Sequence, residues 1–201
     1  MTSAEGQRGP SDHNVRNQIV VAANEHFAHF GYDKTTVSDL AKAIGFSKAY
    51  IYKFFGSKQA IGEAICSQVH YKIIVAARTA VVDGKTSSNK FRRFFRAIVD
   101  ANLSLLFNEG RLYEMASHSC AERWPSFQQH MDDLLVMLTE IIQAGRESGE
   151  FERKTPLDET CRAILQAMQP FINPLMLEHN MDLVPDGTNE VANLVLRSLA
   201  P

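Results

Sequence analysis

The chain has 201 residues, 45% of them hydrophobic, with 21 Lys and Arg against 23 Asp and Glu. That is enough apolar material for a buried core in one large or two small domains, and it excludes a disordered tail protein. No apolar run approaches the ~18 residues of a bilayer span, and the polar start MTSAEGQRGPSDHN lacks the apolar stretch of a secretion signal. The reading is a loose leader over residues 1–13, then a cytoplasmic protein with no membrane partner.

Nearly every segment reads as helix. From Val15 to Phe30 the apolar residues Ile19, Ala23, Phe27 and Phe30 recur at spacings of three and four, and Gly31 stops the helix. Thr36-Val-Ser-Asp39 has the form of a capping box, opening a short helix to about Ile44 with Leu40, Ala41 and Ile44 inward. Gly45 breaks it. Ser47 caps a second short helix, Lys48 to Phe55, which Gly56 ends. Ser57 then caps a long helix to about Val82, on the order of 35–40 Å in length.

After the loop Asp83–Asn89, Lys90 to Phe107 is expected as a helix with the face Phe91, Phe94, Phe95, Ile98 and Leu105. The Asn-Glu-Gly at 108–110 breaks it, and Arg111 to Cys120 forms a shorter helix. Trp124-Pro125 opens another, with Met131, Leu134, Leu135, Leu138 and Ile142 on its inner face, ending near Gly149. Thr155-Pro-Leu-Asp158 is a further start signal, with Thr155 as cap and Pro156 at the first helical position. Pro170 and Pro174 are expected to kink or end that helix, and a last one covers about Thr188 to Leu199. The fold class is therefore all-α, about nine helices, with no strand and no repeat.

Ala41, Gly45 and Ile51 carry the first functional signal. A small residue in one short helix, a glycine four later in the turn and a branched apolar residue in the next helix suit a helix-turn-helix. Such a second helix presents its N-terminal residues to the DNA major groove. The charge pattern agrees. Residues 1–60 hold seven bases and five acids, while the rest of the chain is net acidic, and Ser47–Lys58 holds three lysines, four aromatics and no acid. A carboxylate there would press against phosphates, whereas lysines release counterions. Lys48 and Tyr50 can reach base edges, Tyr52 can give its hydroxyl to phosphate or pack, Lys53 adds to the basic face, and Ser57 and Lys58 offer a helix N-terminus and a cation to phosphate.

The run GYDKTTVSDLAKAIGFSKAYIYKFFGSKQAIGEAI closely resembles the N-terminal domain of the tetracycline-repressor family of bacterial transcription regulators. Phe27, Gly31-Tyr32, Thr35-Thr36-Val37, Ala41, Gly45, Ser47, Tyr52, Phe55 and Ser57-Lys58 match, over about residues 15–65. The resemblance implies a homodimer, an N-terminal DNA-binding domain (14–56), and a C-terminal all-helical ligand-binding and dimerisation domain (57–201). It implies DNA contacts from Thr36, Ser47, Lys48, Ala49, Tyr50, Tyr52 and Lys58. Three positions depart from the family's pattern: Tyr50 stands for a small Thr or Ser, Phe54 for a His or Tyr that bonds phosphate, and Ala49 for a frequent Gly.

The resemblance also implies double-stranded operator DNA and a small-molecule effector as partners, with no cofactor and no metal. Candidate effector contacts are Asn102, Leu106, Phe107, Tyr113, Met115, His118, Trp124, Phe127, Met131, Met168 and Phe171, apolar or aromatic with a few polar handles. For any single Phe or Met, bundle core is the plainer reading; Asn102, His118 and Trp124 are the stronger candidates, because each brings a polar group into apolar surroundings. The expected effector is apolar or aromatic with a hydrogen-bonding group. Dimerisation is placed on the last two helices, 156–177 and 188–199, where Val191, Leu194, Val195 and Leu199 form an apolar stripe.

Rival readings are a regulator sensing oxidation through a cysteine, and a small helical enzyme. Cys66, Cys120 and Cys161 are far apart and lack metal or redox spacing. His26 and His29 have no glutamate completing a zinc motif, and His118 and Cys120, two apart on a helix, point different ways. There is no nucleophile elbow, phosphate-cradling glycine loop or paired-carboxylate signature, so no catalytic residue is assigned.

Overall fold

The computed structural model describes residues 12–108 and 112–201. Most of the leader and the Glu-Gly-Arg at 109–111 lie outside them. Asp12 and His13, taken as leader, already belong to the first helix. Among the described residues the chain is all-helical. The order is α1 (Asp12–Phe30), α2 (Val37–Ile44), α3 (Lys48–Tyr52), α4 (Lys58–Val82), α5 (Ser87–Asn102), α6 (Tyr113–Ala121), α7 (Pro125–Glu147), α8 (Leu157–Ile172), α9 (Pro174–Leu177) and α10 (Asp186–Ser198). A π-helical turn, Leu103–Asn108, extends α5, and a 3-10 turn, Met181–Leu183, precedes α10.

The chain divides into two compact units, residues 1–65 and 66–201. The first packs α1, α2 and α3 around Ile19, Ala23, Phe27, Leu40, Ala41, Ile51, Phe55 and Ile61, all buried. Its turns follow their residues. Gly31 sits at φ 86° and Gly45 at φ 77°, the left-handed region that glycine enters at no steric cost. Gly45 then lets the Phe46 N–H reach the Ala41 carbonyl at 2.9 Å, closing α2.

In the second unit, α5, α7, α8 and α10 pack together, with Phe91, Phe94, Phe95, Ile98, Leu134, Leu138, Ile142 and Met168 at the centre. Glu150 fastens one end. Its carboxylate accepts the Ser87 and Ser88 N–H groups at 2.7 and 2.9 Å, capping α5 from 62–63 residues away. Burial alone would raise the Glu150 pKa, but these bonds outweigh it and leave it lowered. Gly145 admits the Phe151 ring: a Cβ there would lie 2.1 Å from a ring carbon.

Several boundaries differ from the sequence reading. α3 ends at Tyr52 rather than Phe55, because Lys53 and Phe54 tighten into a turn, with the Phe54 N–H on the Ile51 carbonyl at 3.0 Å. α5 begins three residues early, since Thr86 caps it by accepting from the Asn89 N–H at 3.1 Å. The α8 cap position is Pro156, with no side-chain bond, so the predicted Thr155 cap does not form; the Glu152 carboxylate takes the Thr155 N–H instead. α8 passes through Pro170 for two more residues, and the one-turn α9 follows, capped by Asn173.

Candidate nucleic-acid interface and helical-unit cavity

The DNA-facing candidates are held by caps at both helix starts. At α2 the box is complete. The Thr36 N–H and hydroxyl both donate to the Asp39 carboxylate, at 2.9 and 2.7 Å, and the Asp39 N–H returns to the Thr36 hydroxyl at 3.2 Å. The Thr36 hydroxyl bond, aided by the Thr36 N–H, lowers the Asp39 pKa. The Thr36 hydroxyl proton is thus committed within the cap. Ser47 caps α3, accepting from the Tyr50 N–H at 3.1 Å, and Ser57 caps α4, accepting from the Ala60 N–H at 3.0 Å.

On this frame Thr36, Ser47, Lys48, Ala49, Tyr52, Lys53 and Ser57 are exposed, and Ser47–Lys58 carries no acid. The Lys48 ammonium lies 5.8 Å from the Tyr52 ring, one turn away, and Tyr52 is 44% exposed. Both are exposed on α3. Tyr50 is half-buried. Its ring meets Phe46 and Phe54 edge-on, at 5.1 and 5.3 Å, with the Lys53 ammonium 5.7 Å away. The aromatic at position 54 thus serves as a packing partner of Tyr50. Lys58 is also half-buried. Its ammonium donates to the Tyr32 carbonyl at 3.0 Å and lies 4.2 Å from the Tyr32 ring. A Lys58 contact to phosphate shares that cation with a structural duty.

The candidate effector residues take several different partners among the described residues. Asn102 is buried, but its amide donates to the Ile172 carbonyl at 3.2 Å and so ties α5 to the end of α8. The Phe107 and Tyr113 rings lie 4.9 Å apart, and the Tyr113 hydroxyl donates to Glu178. Burial first, then that bond, raises the Tyr113 pKa. His118 pairs with Glu122 at 3.7 Å, and the Trp124 indole N–H donates to the same Glu122 at 2.8 Å. Leu106, Met115, Met168 and Phe171 are buried in packing. Phe127 and Met131 share an open groove of about 680 Å³ between α7 and α8 with Leu135, Leu165 and Gln169.

A second, smaller cavity involves residues that sequence reasoning passed over. It encloses about 210 Å³ between α4 and α7, lined by Ser67, His70, Tyr71, Ile74, Ser126, Gln129, His130 and Asp133. The His70 and His130 rings stack at 4.2 Å and 10°. His70 Nδ1 lies 3.1 Å from the Ser126 carbonyl, which can only accept, so that nitrogen carries the proton. Burial drives the His70 pKa down to about 4, partly opposed by Ser126 and Asp133. Burial, then the His70 neighbour, holds His130 well below its ordinary value. The only sequence signal was a pair of histidines on two helices, which has no readable spacing.

The cysteines are all free thiols. Cys66 and Cys161 are buried and Cys120 half-buried. Burial raises the Cys120 and Cys161 pKa values, which disfavours the reactive thiolate at both.

Comparison with known proteins agrees with this arrangement. Residues 19–65 match the model of bacterial regulatory proteins of the tetR family, and residues 87–191 match that of the tetracyclin repressor-like C-terminal domain. The chain belongs to the TetR family. It is similar to the HTH-type transcriptional regulator YdgC of Bacillus subtilis (strain 168), 19% identical over 92% of this chain and 93% of that one. The HTH-type transcriptional repressor Rv1474c of Mycobacterium tuberculosis (strain ATCC 25618 / H37Rv) is 42% identical over 53 residues, 26% of this chain and 28% of that one. Among solved structures, the transcriptional regulator FadR of Bacillus subtilis in complex with stearoyl-CoA superposes with TM-score 0.68 at 22% identity, over 91% of this chain and 98% of that one. As a TetR-family protein the chain is a helix-turn-helix transcriptional regulator, and among its described residues no helix is long and apolar enough to cross a membrane.

Proposed function

We propose that the protein is a homodimeric, cytoplasmic repressor, released from its operator by a small effector bound in the unit 66–201, and that it is not an enzyme. The single observation that carries the DNA reading is the face from Ser47 to Lys58: capped at both helix starts, exposed at Lys48, Tyr52 and Lys53, and free of acids. TetR-family regulators bind operator DNA and small molecules, typically as dimers. The B. subtilis FadR structure, in complex with stearoyl-CoA, supports the reading of a small-molecule effector.

Dimerisation through α8–α9 and α10 is supported by apolar side chains left on those helices. Of the stripe expected on α10, Val195 and Leu199 are instead buried in the core, Val191 is half-buried and Leu194 is 61% exposed; Leu175 and Met176 on α9 are exposed as well. A second copy of the same chain would cover such a stripe isologously. It would also set the two α3 helices about one DNA turn, ~34 Å, apart. α4 contributes to both units, so an effector that shifts α4 changes that separation. This is a coupling free energy and is reciprocal: operator DNA must weaken the effector to the same degree. The test is sedimentation of the full chain beside its Leu194→Arg variant. A dimer that becomes a folded monomer with lost operator affinity supports the reading. A dimer unaffected by Leu194→Arg overturns this interface.

A further inference from the structure

The wall between α4 and α7 holds polar atoms that nothing in the protein satisfies. His130 is 5% exposed and Ser126 9% exposed, yet His130 Nδ1 and the Ser126 hydroxyl oxygen are both buried without a hydrogen-bond partner. Buried polar atoms are nearly always paired, and an orphaned one costs stability. Two orphans in the lining of one cavity indicate a group that completes them. His70 contributes a third atom. Its Nδ1–H is fixed on the Ser126 carbonyl, so its Nε2 is an acceptor. The site thus offers an acceptor nitrogen, a hydroxyl that both donates and accepts, and a further ring nitrogen.

From these atoms we infer that the cavity between α4 and α7 binds a small, uncharged, hydroxylated single-ring molecule, its hydroxyl among Ser126, His130 and His70. Size sets the first limit. About 210 Å³ falls below the roughly 300–1,000 Å³ of drug-sized sites. Shape sets the second: Ile74 and Tyr71 supply apolar and aromatic wall. Charge sets the third. Burial disfavours the charged form of both imidazoles, and His70 lowers His130 further, so no cation is available for a carboxylate. Asp133, at the same cavity, repels anions, and no Lys or Arg lines it. A hydroxyl meets the requirement because it donates once and accepts as well.

This inference rests on the effector reading for its regulatory meaning but not for its chemistry. The cavity has one wall on α4, the helix that continues into the DNA-binding unit. The groove at Phe127 and Met131 is lined from α7 and α8 only. A ligand seated at His70 therefore touches the shared helix directly, twelve residues from Lys58, or about 18 Å along the axis.

The test titrates the full-length protein with phenol, catechol, benzoate and toluene. Binding is read by calorimetry and by the ¹⁵N imidazole signals of His70 and His130, assigned with His70→Phe and His130→Phe. Phenol or catechol should bind and move both imidazole signals. Toluene, matched in size but lacking the hydroxyl, should bind at least about tenfold more weakly, and benzoate weaker still. Ser126→Ala removes an unpartnered hydroxyl and should keep the fold, while weakening phenol several-fold and leaving toluene unchanged. Equal affinity for toluene and phenol, unmoved imidazole signals, or no binding of either hydroxylated ring at millimolar concentration would overturn the assignment. Movement of the same signals by Zn²⁺ but by neither hydroxylated ring would overturn it too. Operator affinity measured alongside separates the two readings. Phenol binding without operator release supports the cavity assignment and overturns the effector role of this site.

Discussion

Acidification should weaken the helical unit through the stacked histidines. Burial holds His70 at about 4 against its ordinary 6.5, and His130 is lowered in the same sense. A group with a depressed histidine pKa binds its proton more readily when unfolded. The stability it contributes is therefore complete above about pH 6.5 and is lost as pH falls towards 4. For His70 alone the loss between pH 7 and pH 5 is about 2 kcal/mol, and His130 adds to it. The lowered carboxylates Asp39, Glu150, Glu152 and Asp158 act at more acidic pH, below their ordinary values near 4. Trp124 is the sole tryptophan and is 2% exposed within this unit, so its fluorescence reports the unfolding. Urea melts at fixed protein concentration should show a midpoint lower by about 1 M at pH 5 than at pH 7. The His70→Phe, His130→Phe double variant should lose most of that difference. A double variant that keeps the full difference would show that the histidines are not its source.

Four further outcomes are expected. Lys48→Ala should leave folding unchanged and reduce the salt slope of DNA binding by about 0.9, one phosphate's worth, in filter or fluorescence titrations. Lys58→Ala should lower both DNA affinity and stability, the latter by about 1–2 kcal/mol, because its ammonium also satisfies the Tyr32 carbonyl and lies over the Tyr32 ring. Tyr50→Ala should change the preferred base sequence more than overall affinity, read by selection from a random duplex pool. Gly145→Ala should destabilise the helical unit by about 1–3 kcal/mol in the urea melt, since the new methyl meets the Phe151 ring at 2.1 Å.

The DNA-binding unit was legible because its signals are local. The Thr36–Asp39 box, Gly45, Ser47 and Ser57 each act within a few residues, and the acid-free run is contiguous. The cavity between α4 and α7 was not, because its pieces meet across the chain. His70 and Ser126 are 56 residues apart, and neither helix marks them. Asn102 shows the same limit. Its burial could be guessed from its apolar neighbours, but whether its amide met a ligand or the Ile172 carbonyl, 70 residues on, could not. The Thr155 cap did not form because α8 starts one residue later than the pattern suggests, with Pro156 at the cap position.

The most direct test of the account is a selection of genomic fragments from the source organism by the purified protein, with the enriched duplex then titrated over a range of salt beside a scrambled duplex. Enrichment of an inverted repeat, bound selectively and with a steep salt dependence that Lys48→Ala reduces, is the predicted result. Recovery of no preferred sequence, or binding indifferent to salt and to Lys48, would contradict the assignment of the Ser47–Lys58 face as the DNA reader.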